Sequence, residues 1–150
     1  MRRRAQAIVE VAVVLPLLLT LAFGAVGIGR LVQARMALDA ATREAARTTA
    51  LGTMPRFESH DQRARRDAEA DGAAQGGRVA LGYGLRDAEI SVSTEDFGPG
   101  GWVTASGTYT VTEVDLPFIR DILRGVLQGR GIEIHAQHLE RIDPYRSYSP

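Results

Sequence analysis

Apolar residues are concentrated at one end of this chain. From Val11 to Gly29, 19 consecutive residues carry no charge. A helix over them is roughly 28 Å long at 1.5 Å per residue, close to the ~30 Å hydrocarbon core of a bilayer. A secretory signal has a shorter apolar stretch, about 7–15 residues, although Ala25 and Gly27 could mimic a signal peptidase site. The helical pattern does not stop there. Ala34, Ala37, Leu38, Ala41 and Ala45 recur at three- and four-residue spacing, and no Pro or Gly interrupts Arg30 to Leu51. Asp39–Arg43 and Glu44–Arg47 have the spacing of helical ion pairs. The spacing predicts a membrane helix that continues into water as one rod and ends near Leu51-Gly52, with Pro55 just beyond. Pro16 removes a backbone donor and predicts a kink. Glu10 stands directly before the apolar run, where an unpaired carboxylate is costly if it goes deep. It either snorkels to the interface or meets a partner cation. Thr20/Gly24 and Ala25/Gly29 are small-xxx-small pairs of the kind that pack membrane helices.

Beyond Gly52 the pattern changes to that of a small water-facing domain. His60 to Gln75 is polar and rich in Ala and Arg, which predicts a second helix that Gly76-Gly77 would break. Within it, Asp67, Glu69 and Asp71 among Arg63, Arg65 and Arg66 read as a solvated face. Ala88 to Thr94 alternates and predicts a strand. Gly98-Pro99-Gly100-Gly101 predicts a loop, and Trp102 to Val114 a second strand. Val103, Ala105, Tyr109 and Val111 share one face of that strand, opposite a row of Thr and Ser. Together the two strands predict an antiparallel hairpin. A short helix is expected to open at Pro117, with Ile119, Ile122, Leu123, Val126 and Leu127 on one stripe and Gly129 to end it. Gly131 to Ile142 predicts a third strand, and a loosely ordered tail is expected after Pro144. The expected class is α+β: a long N-terminal transmembrane helix continuing as a rod, then a small domain of about three antiparallel strands and short helices. Such a sheet has edges that can dock a partner.

Composition narrows the function. The 150 residues allow one modest domain, and the apolar content held by the N-terminal run leaves a small core for the rest. The formal net charge is zero, which argues against a nucleic-acid partner. All 18 basic residues are Arg, with Ala and Gly also abundant, a pattern that reads first as genomic codon bias. Past Gly52, 11 Arg face 15 Asp and Glu, a net charge of −4. The absence of cysteine excludes disulfides, thiolate zinc sites and thiol catalysis. His135 and His138 are three apart, which on a strand points them to opposite faces and argues against a metal site. Gly27-Ile28-Gly29 and Gly82-Tyr83-Gly84 lack the third glycine and the βαβ context of a dinucleotide site. Ser91, Ser93 and Ser106 have no nucleophile elbow. No catalytic residue, metal ligand, cofactor or small-molecule substrate is expected. Charge counting leaves the orientation in the membrane open, because Arg2, Arg3 and Arg4 precede the helix while Arg30, Arg35, Arg43 and Arg47 follow it.

Four pieces in order make the N-terminus resemble a known family. They are Gln6-Ala7-Ile8-Val9-Glu10-Val11-Ala12, Leu15-Pro16-Leu17, Gly29-Arg30, and Ala41-Thr42-Arg43-Glu44-Ala45-Ala46-Arg47. Together they resemble the TadE-like family, the pilin-like and pseudopilin proteins of tight-adherence pilus systems, a branch of type IV pili. The family pattern runs approximately Q-A-x-V-E-F-A, L-P-L, G-R, A-A-R-E-G-A-R. Arg141 to Arg146 also resembles family members. The resemblance is strong over residues 5–51 and loose beyond. Ala5 stands where Gly is usual, Val11 replaces an aromatic, and Thr42 and Ala45 replace Ala and Gly.

The resemblance implies a prepilin leader at 1–5, an assembly helix at 6–52 and an extracytoplasmic domain at 53–150. A prepilin peptidase would cut between Ala5 and Gln6 at the cytoplasmic face. Glu10 would become the fifth residue of the mature chain, able to pair with the Gln6 amine of a neighbouring subunit. Pro16, Gly24 and Gly29 are then kink and packing positions, and Arg30, Arg43, Glu44 and Arg47 family-pattern residues. The implied protein is a non-enzymatic minor pilin or pseudopilin, single-pass in the bacterial inner membrane with its N-terminus inside. Its partners are the peptidase, another pilin-like protein and the inner-membrane platform. The alternatives are an unprocessed membrane-anchored interaction domain, a tethered enzyme or binding module using His135, His138 or Glu140, and a secreted protein cut after the apolar run.

Overall fold

A computed structural model describes residues 2–52, 62–111 and 131–143, with side chains from Glu10 onward. The helix expected after Pro117, Pro55 and the tail after Pro144 lie outside the described residues. The element order is α1 (Arg2–Ala50), α2 (Gln62–Gly82), β1 (Glu89–Thr94), β2 (Trp102–Val111) and β3 (Ile132–Arg141). The fold is α+β, with a long N-terminal helix, a second helix and a three-stranded antiparallel sheet. The described residues fall into two compact units, one holding α1 up to Val32 and the other holding Gln33–Val111 and β3.

In the first unit the large apolar side chains point outward. Val13, Leu17 and Leu21 on one side of the helix and Val11, Leu15 and Leu19 on the other are all between 46% and 69% exposed. Apolar exposure all round matches a lipid-facing helix rather than a core helix. α1 is the one helix among the described residues that is long and apolar enough to cross a membrane.

In the second unit the rest of α1 is a core element. Leu38, Ala41, Thr42, Ala45, Ala46 and Thr49 are fully buried. α2 meets this face through its own small residues, Ala68, Gly72, Gly76 and Ala80, spaced every four positions and all buried. A methyl group at Gly76 would lie 2.8 Å from Ala45 Cβ, 2.9 Å from the Ala41 carbonyl and 3.0 Å from Ile90 Cγ2. One at Gly72 would run into the Thr49 hydroxyl and the Ala45 carbonyl. The two helices thus approach backbone to side chain. The expected break at Gly76-Gly77 is therefore wrong: α2 runs on to Gly82 because burial against α1 offsets the ~1 kcal/mol helix penalty of a glycine. It stops at Gly84, which has φ +87°. There the Leu85 amide donates to the Ala80 carbonyl and the Gly84 amide to the Leu81 carbonyl, the double bond of a Schellman stop.

The strands pair in the order β1-β2-β3, all antiparallel. Alternation sends Val103, Ala105, Tyr109 and Val111 into the core, as the sequence pattern predicts. Leu38 and Thr42 of α1 seat over the central strand at Gly107, where an added methyl would lie 2.8 Å from Thr42 Cγ2 and 3.0 Å from Leu38 Cδ1. The β1–β2 connection closes on a turn at Gly98-Pro99-Gly100-Gly101. The Gly101 amide donates to the Gly98 carbonyl, and Gly100 sits at φ +84°, a type II turn with Pro and Gly in their preferred places.

Candidate functional site

The residues singled out for processing and assembly lie along α1. Ala5 and Gln6 are within its backbone span, and Glu10 is exposed at the start of the apolar surface. Pro16 sits inside the helix, so the Ala12 carbonyl loses its amide donor. Nearby, the Thr20 hydroxyl donates back to the Pro16 carbonyl at 2.9 Å. Gly24 and Gly29 have no neighbouring atom where a Cβ would stand, so nothing in the described residues demands a glycine at either position.

The 41–47 segment has two faces. Ala41, Thr42, Ala45 and Ala46 are buried against α2 and the sheet, while Arg43 and Arg47 are exposed and Glu44 is partly so. Ala45 stands where the family pattern has glycine, and the close approach there is made by Gly76 of α2 instead. Asp39 pairs with Arg35 at 3.5 Å rather than with Arg43. Helical side chains lean toward the N-terminus, so the short Asp39 lies over residue 35, and the long Arg35 reaches it.

The sequence reading missed the role of Glu69. Asp67 and Asp71 are exposed as expected, but Glu69 Oε1 accepts from the Thr94 amide at 2.8 Å, the Thr94 hydroxyl at 2.6 Å and Arg65 Nε at 2.9 Å. Burial alone would raise its pKa, but the hydrogen bonds from Thr94 and Arg65, with the Arg65 charge, outweigh it. The net effect holds the carboxyl below its ordinary value. This carboxylate ties α2 to the end of β1. The only sequence signal for it was its place, one residue after Ala68, beside the small-residue stripe.

His135 and His138 point to opposite faces of β3, as their spacing predicts. Each pairs with a glutamate of its own strand, Glu133 at 3.6 Å and Glu140 at 3.2 Å. No group of three metal-ligating side chains occurs among the described residues. The glycines of 82–84 serve the helix stop, and Ser91 donates weakly to the Ser106 carbonyl at 3.4 Å. A cleft of about 580 Å³ opens at the 95–101 connection, with Glu95, Asp96, Trp102 and Arg141 at its wall. The Arg141 guanidinium lies 5.8 Å from the centre of the Trp102 ring, within cation–π range. The cleft brings no nucleophile into hydrogen-bond contact with a base.

No curated protein and no solved structure matches the chain. A protein-family model does: that of the TadE-like protein family, over residues 5–47. The matched span is most of α1, from the apolar exposed stretch to the two-faced segment at 41–47. That long apolar helix fits a single-pass membrane anchor. Over those residues, under a third of its length, the chain is similar to the TadE-like protein family.

Proposed function

We propose that this protein is a minor pilin or pseudopilin that acts in assembling or priming a tight-adherence pilus. The observation that carries the reading is the coincidence of the TadE-like match at 5–47 with the exposed apolar helix that begins at Glu10. In this reading a prepilin peptidase cuts between Ala5 and Gln6 at the inner-membrane surface, with the N-terminus inside and the domain after Gly52 outside. The cut removes Arg2, Arg3 and Arg4, which hold the precursor at the cytoplasmic face, and leaves an ammonium on Gln6. Glu10 of one subunit then meets the Gln6 ammonium of the next. Each charge compensates the other in a setting where either alone is costly, so the pairing also fixes the helices in register. Pro16, Gly24 and Gly29 are the places where neighbouring helices bend or approach closely. Arg30, Arg43 and Arg47 present cations beyond the apolar stretch, beside Glu44. The partners are another pilin-like protein and the inner-membrane platform, and the role is structural rather than catalytic.

Glu10→Ala in the native strain tests the pairing role. The expected result is a protein still processed and membrane-bound, with piliation lost. Normal piliation in that variant would remove Glu10 from assembly. If the variant also behaved like the parent in every partner pull-down, the unprocessed interaction-domain alternative would gain.

A further inference from the structure

β3 is an edge strand, and among the described residues nothing pairs with its outer side. β1 is shorter and is tied to α2 through Glu69, whereas β3 runs ten residues from Ile132 to Arg141. Its backbone polarity is fixed by the ladder. The Ile142 amide donates to the Gly101 carbonyl at 2.9 Å and the Ile142 carbonyl accepts from Gly100 at 3.1 Å, so Ile142 addresses the β2 side. In an antiparallel ladder this direction alternates along the strand. Glu133, His135, Gln137, Leu139 and Arg141 therefore direct their amides and carbonyls to the open edge. Their side chains share the outer face, and all five are exposed.

The usual protections of an edge are weak here. Ile132–Arg141 contains no Pro, and the chain has no Lys. The inward-facing polar side chains, His138 and Glu140, are engaged with each other at 3.2 Å.

We propose that β3 pairs antiparallel with β3 of a second copy of this chain, about a two-fold axis at Gln137. The charge pattern selects both partner and register. With Gln137 opposite its own counterpart, Glu133 of each copy faces Arg141 of the other, Ile132 faces Ile142, and His135 faces Leu139. The outward amides and carbonyls of the five edge residues then meet one another. Sliding the register by two residues breaks the match, setting Glu133 against Leu139 in one direction and against Asp143 in the other. A parallel arrangement in register sets Glu133 against Glu133. Like charges directly opposite are destabilising, so the strand is complementary to itself in one arrangement. Edge pairing buries little area, and confinement of both copies to one membrane raises their effective concentration.

The test uses the full-length protein in membranes. The chain has no cysteine, so Gln137→Cys gives a single thiol that a short bifunctional reagent can bridge across a pair about 5.5 Å apart. In this background Glu133→Arg alone, and Arg141→Glu alone, each convert both attractive pairs into repulsive ones and should lower dimer capture roughly tenfold. Mixing the two variants makes both cross-pairs attractive again, so the mixture should recover the parent's yield as a heterodimer. This recovery also distinguishes lost pairing from a misfolded domain. Absence of parent dimer, indifference to the charge variants, or a mixture no better than its components would overturn the proposal. So would capture of a different protein in place of a second copy.

Discussion

Glu69 concentrates three donors on one carboxylate oxygen, and two of them belong to Thr94, which is only 2% exposed. Removing that acceptor leaves a buried amide and hydroxyl unpaired, so Glu69→Ala should cost about 1–3 kcal/mol, measured by thermal or denaturant unfolding of the detergent-solubilised protein. The folded-state pKa lies below the ordinary value of 4.5. Ionised Glu69 therefore contributes stability at pH above 4.5, and that contribution disappears as pH falls through the lowered folded-state value. Glu69→Gln keeps an acceptor but removes the titration, so its stability loss relative to the parent should shrink below that pH. A loss that stays constant from neutral to acidic pH would show that the charge of Glu69 contributes nothing. In sequence, Glu69 is one acid among several in a charged helix, and its difference from Asp67 and Asp71 arises only when Thr94 arrives from 25 positions away.

At the scale of elements, α2 rests on glycines that local rules read as interruptions. Gly76→Ala raises helix propensity but places a methyl against Ala45, Ala41 and Ile90. The crowding should win, with a net destabilisation of about 1–3 kcal/mol. Gly77→Ala, one residue on, meets nothing within 4 Å and should stabilise by up to about 1 kcal/mol. Opposite signs at adjacent glycines, read as opposite shifts in unfolding midpoint, are what close helix packing requires; equal signs would contradict it. The same contrast explains what the sequence disclosed. α1 was legible because an uncharged run followed by small residues at helical spacing needs no partner to be recognised. β1, β2 and β3 were legible from alternation, and the turn at 98–101 from its Pro and glycines. The extension of α2 past Gly76 was not, because a glycine that breaks an isolated helix and one that admits a neighbouring helix look alike along the chain. The Trp102–Arg141 contact was hidden for a similar reason: it joins β2 and β3 across a register that alternation alone does not set.

For the whole molecule, the TadE-like match covers residues 5–47, while the domain that follows was readable as a fold but not as a function. Its α2 and sheet give α1 a buried face from Leu38 to Thr49, whereas from Val11 to Ile28 the apolar side chains other than half-buried Phe23 are exposed. On the function proposed above, this helix is a processed pilin helix, cut at the Ala5–Gln6 bond. The N-terminal mass of the protein isolated from its native membrane reads that bond directly. A chain beginning at Gln6 is the predicted result; a chain that still begins at Met1 would contradict the claim and leave a long-helix membrane anchor in its place.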